Sequence, residues 1–174
     1  MWKEKLWLAN DKNIRRTFRI YKMKPLIVLI VVFLLSLAGT RLIEGEIHYS
    51  LSGRIAMSVM LLFTTIGHFK FAEGMSKMIP TFIPNKKQVV YFTGLIEIAA
   101  AVGLLIPSTQ KFTAWLLILF FILILPANVN AALKQVDYEK PDNKGLGAQY
   151  LWFRIPLQVF FIGWVYLFAL IERH

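Results

Sequence analysis

The 174-residue sequence contains no cysteine. A disulfide, a thiolate metal site, an iron–sulfur cluster and a thiol relay are therefore excluded for this chain on its own. Any redox chemistry would have to come from a bound cofactor or from a partner protein.

The sequence also lacks the common motifs of catalytic and metal sites. It has no H-E-x-x-H or E-x-x-H pattern, no glycine-rich phosphate loop and no serine nucleophile motif. Of its three histidines, His48, His68 and His174, only His68 lies where a haem between two helices would need a ligand. We therefore expect no haem and no metal, and we predict no catalytic residue.

Charged residues are scarce, and apolar residues are abundant. Charged side chains make up 17% of the chain and hydrophobic residues 57%, with a mean hydropathy of +0.56, whereas soluble domains carry about 25% charged residues. The apolar residues fall into five blocks, each close to the ~20 residues that a membrane-spanning helix needs. The blocks are Pro25 to Ile43, Ile55 to Phe69, Val89 to Ile106, Phe112 to Leu133 and Ala148 to Ile171. None alternates apolar and polar residues as a membrane strand does, so the composition predicts an all-α, polytopic membrane helix bundle.

The distribution of lysine and arginine predicts the orientation of these spans, because both accumulate in cytoplasmic loops. With a cytoplasmic N-terminus, fifteen basic residues lie inside and four outside. The sequence therefore predicts a multi-pass protein of the cell (inner) membrane, with its N-terminus in the cytoplasm and its C-terminus outside. The net charge of +10 is then mostly a property of topology, and we expect no nucleic-acid partner.

The first segment, residues 1–24, carries eight basic and two acidic side chains. Ile14, Phe18 and Tyr21 would share one face of a helix, as in helices that lie on anionic lipid. A disordered basic leader that only orients the first span is the alternative, and a cleavable signal peptide is a third reading. We divide the chain into this segment, a retained span at residues 25–43, and a four-helix domain at residues 53–171.

Glu97 is the most informative residue, because it lies inside the third apolar block. A carboxylate in a membrane span normally faces the bundle and has a partner. The positions three and four residues away are Thr93, Gly94, Ala100 and Ala101, and small residues allow another helix to approach closely. We therefore expect Glu97 to point into the bundle.

Four more polar residues, His68, Asn128, Arg154 and Gln158, are expected in the same half of the bundle as Glu97. We predict Arg154 as the partner of Glu97, because a guanidinium–carboxylate pair removes two charges from lipid in one contact. Asn128 is preferred over Asn130, since the two point about 200° apart around a helix. These residues would form a packing network, a pocket for the polar head group of an amphiphile, or a proton path.

Several motifs resemble the DoxX family of small bacterial integral membrane proteins. They are "GHF" at 67–69, "MIPTFIP" at 78–84, "TGLIEIAAAVGLLIP" at 93–107, "LPAN" at 125–128 and "RIPLQ" at 154–158. The resemblance covers residues 53–170 and implies a four-helix membrane bundle, here with one extra N-terminal span. Two features depart from the family pattern: "HFKFAEG" lacks a proline, and "AAVGLL" has alanine in place of a glycine.

The DoxX resemblance implies a redox-associated membrane subunit. Five residues match positions where the family pattern has polar side chains, and we take them as ligand-binding candidates: His68, Glu97, Asn128, Arg154 and Gln158. The expected ligand is an isoprenoid quinone or a similar amphiphile, and the expected partners are the lipid bilayer and a redox or other membrane protein. The alternative is a non-catalytic membrane helper that stabilises or recruits a partner. In neither case do we expect the chain to be catalytic on its own.

Overall fold

The computed structural model describes residues 23–138 and 147–171. Every regular element in these two segments is helical, which confirms the all-α prediction. In chain order the helices are α1 (Lys24–Glu44), α2 (Tyr49–Lys70), the short α3 (Ala72–Ser76), α4 (Lys86–Gly103), α5 (Gln110–Leu133) and α6 (Ala148–Val165); α6 continues into a π-helical turn, Tyr166–Leu170. The helix predicted around Ile14, Phe18 and Tyr21 lies outside the described residues.

Among the described residues, four helices are long and apolar enough to cross a membrane: α1, α2, α5 and the helix over residues 151–170. The chain is thus a multi-pass helical membrane protein. Helix α4 corresponds to the third predicted span but is not one of these four. Its 18 residues include three charged side chains, Lys86, Lys87 and Glu97, which lower its apolar character.

Local sequence explains where several helices begin and end. Pro25 lies in the first turn of α1, where its missing N–H costs nothing. Gly45 follows α1 with a φ of 76°, a left-handed conformation that glycine adopts without a steric penalty. Helix α2 begins at Tyr49 and so includes "LSGR", the four residues before the second apolar block. With them, the shortest predicted span becomes a helix of 22 residues, long enough to cross the membrane.

The long helices run back and forth, so the bundle has two ends with different connections. We call the end with residues 45–48 and 104–109 the short-loop end, and the end with residues 71–85 and 134–138 the long-loop end. Helix α2 packs against α1 and α4, and α5 packs against α6. The π-helical turn contacts both α2 and α5, and so joins the two groups of helices.

The larger hydrophobic cluster lies near the middle of the bundle and toward the short-loop end, whereas a smaller cluster of Ala72, Ile79 and Val90 lies at the long-loop end. Helix α2 contributes residues between Ala56 and Leu61, and α5 contributes residues between Ala114 and Phe121. Helix α4 contributes Ala100 and Ala101, and Leu104 follows directly after it. The long-loop half of the same helices carries a different set of buried residues, which is mostly polar or small.

Polar contacts hold the short-loop end together around the π-helical turn. The indole N–H of Trp164 donates to the carbonyl of Gly53 at 3.0 Å. The side chain of Gln110 donates to the carbonyl of Ala169 at 2.7 Å and accepts a hydrogen bond from Arg54. Since these three bonds run between α2, α5 and the end of α6, they fix the mutual position of the helices at this end.

Candidate functional site

Glu97 lies in the middle of α4 and points into the bundle, as predicted. Its exposed fraction is only 5%. The hydroxyl of Thr64 donates to its Oε2 atom at 3.0 Å, and the hydroxyl of Thr65 donates to the same atom at 3.2 Å. The Nε2 atom of His68 lies 3.3 Å from its Oε1 atom. Because three neighbours on α2 surround the carboxylate, both of its oxygens have polar partners inside the bundle.

The other ring nitrogen of His68 faces α4 as well. Its Nδ1 atom lies 3.0 Å from the Thr93 hydroxyl and 3.2 Å from the Val90 carbonyl oxygen. The Thr93 hydroxyl in turn donates to the Val90 carbonyl at 2.8 Å. The contacts therefore form a continuous series from the buried Glu97 through His68 to Thr93, whose side chain is half-buried.

Close packing of α2 and α4 makes these contacts possible. A Cβ atom added to Gly94 would lie only 3.1 Å from the Cβ atom of His68. The absence of a side chain at Gly94 thus lets the two backbones approach closely, as small residues do in membrane helix pairs. This is the packing that the small residues around Glu97 predicted.

Asn128 and Gln158 form a second polar contact, between α5 and α6. Both are buried, and the Asn128 Nδ2 atom donates to Gln158 Oε1 at 3.4 Å. Gln158 Nε2 donates to the Phe121 carbonyl. Pro126 cannot donate to the Ile122 carbonyl, four residues before it, and the acceptor that Gln158 uses belongs to the preceding residue, Phe121.

Asn130 serves a different purpose from Asn128. Its side chain donates to the backbone carbonyl of Met78, in the loop between α3 and α4, at 2.6 Å. The preference for Asn128 as the residue that faces the polar interior is therefore confirmed.

Arg154 is not the partner of Glu97, and that prediction was wrong. Within residues 23–138 and 147–171, Glu97 forms its ion pair with His68, and Arg154 has neither an ion pair nor a hydrogen bond. The physical reason is that the carboxylate is already enclosed by groups on α2, whereas Arg154 lies on α6. The guanidinium is half-buried, one turn from Gln158 on its own helix.

The structure therefore divides the five predicted site residues into two contacts and one separate cation. Glu97 pairs with His68, Asn128 pairs with Gln158, and Arg154 stands apart. Sequence reasoning missed the roles of three threonines: Thr64 and Thr65 contact Glu97, and Thr93 contacts His68. The signal was present, however, because Thr64 and Thr65 precede His68 by four and three residues, and Thr93 precedes Glu97 by four.

The donor set around Glu97 is not that of a metal centre. Within the part of the chain that the structure describes, no group of three histidine, aspartate or glutamate residues is arranged to hold a metal ion. What the site does have is one carboxylate, one imidazole and three hydroxyls, which are groups that hold and pass protons.

Comparison with known proteins identifies a family but not an activity. No curated protein and no solved structure matches this chain. One family matches this chain over residues 57–169. The matched segment contains α4, α5 and all five candidate residues. Since the match covers well over half of the chain, the protein belongs to the family described as Domain of unknown function (DUF8561).

Proposed function

We propose that the protein is a DoxX-like subunit of the cell (inner) membrane, associated with redox chemistry, that binds an isoprenoid quinone or a similar amphiphile. The head group lies against Asn128, Gln158 and Arg154 in the long-loop half of the bundle. The apolar tail lies along the lipid-facing helices. One observation carries the proposal: a half-buried arginine without a partner among the described residues lies one turn before the buried Gln158, which in turn contacts the buried Asn128.

The two amides support this proposal because they keep donors for a ligand. A side-chain amide has two N–H groups. Asn128 uses one for Gln158, and Gln158 uses one for the Phe121 carbonyl. Within the described part of the chain, each therefore retains one N–H, and the carbonyl oxygens of a quinone ring are acceptors that match these donors. A ligand of this kind would use polar groups that are costly to leave unpaired in a membrane.

Arg154 supports the same location. A guanidinium inside a spanning helix is expensive unless it meets water, a lipid head group or a polar ligand. Arg154 and Gln158 are spaced i and i+4, so they share a face of α6. That face includes the Gln158 contact to α5, which supports a position of Arg154 near the boundary between the two helices.

We propose a topology with five spans, in which α4 crosses the membrane together with the four more apolar helices. The N-terminus is then cytoplasmic and the C-terminus lies outside. Fifteen basic residues on the long-loop side against four on the other support this orientation. The burial of Glu97 supports a spanning α4, because its least apolar position is covered by α2 rather than by lipid.

The test is organic extraction of gently purified protein, followed by mass spectrometry of the extract. We expect one quinone or related amphiphile per protein, and at least about a tenfold lower content in Arg154→Ala, because a charge-assisted contact is lost. Arg41→Ala is the matched control, since Arg41 is an exposed arginine at the short-loop end. Bulk phospholipid alone in all three samples would rule out the proposal.

A non-catalytic membrane helper is the second candidate function, and one observation favours it. Only 11% of the most apolar window of α1 is buried inside the bundle. Helix α1 also lies outside the family match, so its exposed face is an addition to the common fold. A helper would present this face to a helix of a partner protein. In that case, a partner would co-purify with the full chain but not with a chain that begins after α1.

A further inference from the structure

We propose that Glu97, His68 and Thr93 form a proton-binding site that exchanges with the long-loop end of the bundle and is closed toward the short-loop end. While the carboxylate of Glu97 stays ionised, the site takes up one proton, which the imidazole of His68 holds. This inference goes beyond the proposed function, because it requires no bound quinone.

The first argument is that one arrangement of atoms satisfies two protonation states. With a neutral imidazole, Nε2–H donates to Glu97 Oε1, and the Thr93 hydroxyl donates to Nδ1 over 3.0 Å. With a protonated imidazole, Nδ1–H donates to the Thr93 oxygen, and the Thr93 hydroxyl donates to the Val90 carbonyl over 2.8 Å. Only the hydroxyl hydrogen of Thr93 has to rotate, so uptake of a proton requires no movement of the helices.

The proton balance of this step is simple. Thr93 takes a proton from a hydronium ion at the long-loop end and passes its own hydroxyl proton to His68 Nδ1. A water molecule and a protonated imidazole result, and Thr93 again carries one hydrogen. No electron is transferred, and no other reactant is needed.

The second argument is the change in burial along the site. Glu97 is 5% exposed, whereas His68 and Thr93 are both only partly buried. His68 lies two residues before the end of α2, at the long-loop end. The series of contacts thus begins at a buried acceptor and ends near the surface, which is the order that proton exchange requires.

The third argument is the apolar packing on the other side of Glu97. One turn further along α4 lie Ala100 and Ala101, and one turn back along α2 lies Leu61, all of which are buried. The hydroxyl of Thr64 has its second contact with the Leu61 carbonyl at 2.9 Å, a backbone group of its own helix. Protons therefore reach Glu97 from one side only, and the site does not conduct them across the membrane.

Other charged or titratable groups surround this end of the bundle, and their positions bear on any pH response. They include Lys24 of α1, Lys70 of α2, Glu73 of α3, Lys86, Lys87 and Tyr91 of α4, Lys134 and Asp137 after α5, and Arg154 of α6, together with Lys77 and Tyr138 in the loops. The groups in direct contact with the carboxylate of Glu97 are those of Thr64, Thr65 and His68. The imidazole is thus the titratable group that the carboxylate acts on at contact distance.

The test is nitrogen NMR of histidine-labelled full-length protein in lipid nanodiscs, after removal of any extractable amphiphile. With His48→Asn and His174→Asn in the background, His68 is the remaining histidine. We expect its Nδ1 signal to change from acceptor to donor as the pH is lowered. In Glu97→Gln the His68 ring signals should respond differently to pH, since the group that faces Nε2 is then a neutral amide instead of a carboxylate.

Thr93→Val tests the route, and two variants serve as controls. Proton exchange at His68 should slow in Thr93→Val but not in Thr93→Ser, which keeps the hydroxyl. Thr113→Val removes a hydroxyl near the short-loop end and should leave the exchange unchanged. A His68 signal that stays in one protonation state wherever the protein is folded would overturn the site. Equal signals in wild type and Glu97→Gln would do so as well.

If Glu97→Gln does not fold, the wild-type titration and the Thr93 pair decide the matter. Equal exchange rates in Thr93→Val and Thr93→Ser would then refute the relay. Because these experiments use protein without a quinone, their outcome is separate from that of the extraction experiment.

Discussion

Removing the two threonine hydroxyls that contact Glu97 should weaken the fold, whereas removing Arg154 should not act through Glu97. The perturbation is the double substitution Thr64→Val and Thr65→Val, which keeps the shape of both side chains. It takes away two of the three neighbours of the carboxylate, at 3.0 and 3.2 Å. The buried carboxylate is then left with His68 as its only partner among the described residues.

The expected magnitude follows from the type of hydrogen bond. Hydrogen bonds to charged groups contribute about 1.5–3 kcal/mol in soluble proteins, but side-chain bonds in membrane bundles average about 0.6 kcal/mol. Each hydroxyl also has a backbone carbonyl within reach, that of Leu61 at 2.9 Å or of Gly94 at 3.4 Å. We therefore expect the free energy of unfolding to fall by about 1–2 kcal/mol for the pair.

The assay is equilibrium unfolding in mixed micelles, arranged as two double-mutant cycles with Glu97→Gln. The cycle with the two threonines should give a coupling energy of about 1 kcal/mol. The cycle with Arg154→Met should give a value within the ~0.3–0.5 kcal/mol scatter of independent sites. Thr64→Ser with Thr65→Ser is the control that keeps both hydroxyls.

A larger coupling of Glu97 to Arg154 than to the threonine pair would refute this reasoning. It would restore the ion pair that the sequence predicted. Equal unfolding free energies for the valine and serine double variants would also refute it, because the hydroxyls would then contribute nothing.

Two other predictions concern packing and topology. Gly53→Ala should cost about 1–3 kcal/mol in the same unfolding assay, because the new Cβ atom would overlap the Phe168 side chain. Gly163→Ala is the control: nothing lies within 4 Å of its new Cβ atom, so it should not destabilise the protein. The absence of cysteine allows single-cysteine mapping with a membrane-impermeant thiol reagent: Glu73→Cys should react only from the cytoplasmic side and Ser108→Cys only from outside. Reaction of both from the same side would contradict an α4 that crosses the membrane.

The helices were predictable because the bilayer leaves a clear signal in the sequence. Apolar blocks of sufficient length identify spans whatever their neighbours are. The position of Glu97 was predictable for a related reason: small residues one turn away on both sides identify the face on which another helix approaches. In both cases the information lies within a single helix, so no tertiary contact had to be known.

The partner of Glu97 was not predictable in the same way. The sequence offered both Arg154 and His68 at suitable depths, and charge alone favoured arginine. The choice depends on which helix lies beside α4, and α2 does so because Gly94 allows close contact with His68. Contacts between helices depend on packing over the whole bundle, and they cannot be inferred from the pattern of residues in a single sequence.

The family assignment and the predicted resemblance answer different questions. Membership in a domain family of unknown function covers α4, α5 and all five candidate residues. The DoxX resemblance and the quinone remain predictions, which the extraction experiment addresses. The physical arguments for a polar ligand do not depend on either name.

The uneven distribution of buried apolar residues has a consequence for how a lipid-borne molecule would reach the interior. Near the short-loop end the helices are held by a hydrophobic core and by the Trp164 and Gln110 hydrogen bonds. The long-loop halves of α5 and α6 contribute few residues to this core, so we predict that thermal motion separates these two helices at that end first. An amphiphile already dissolved in that leaflet can then enter sideways between α5 and α6, without ever passing through water.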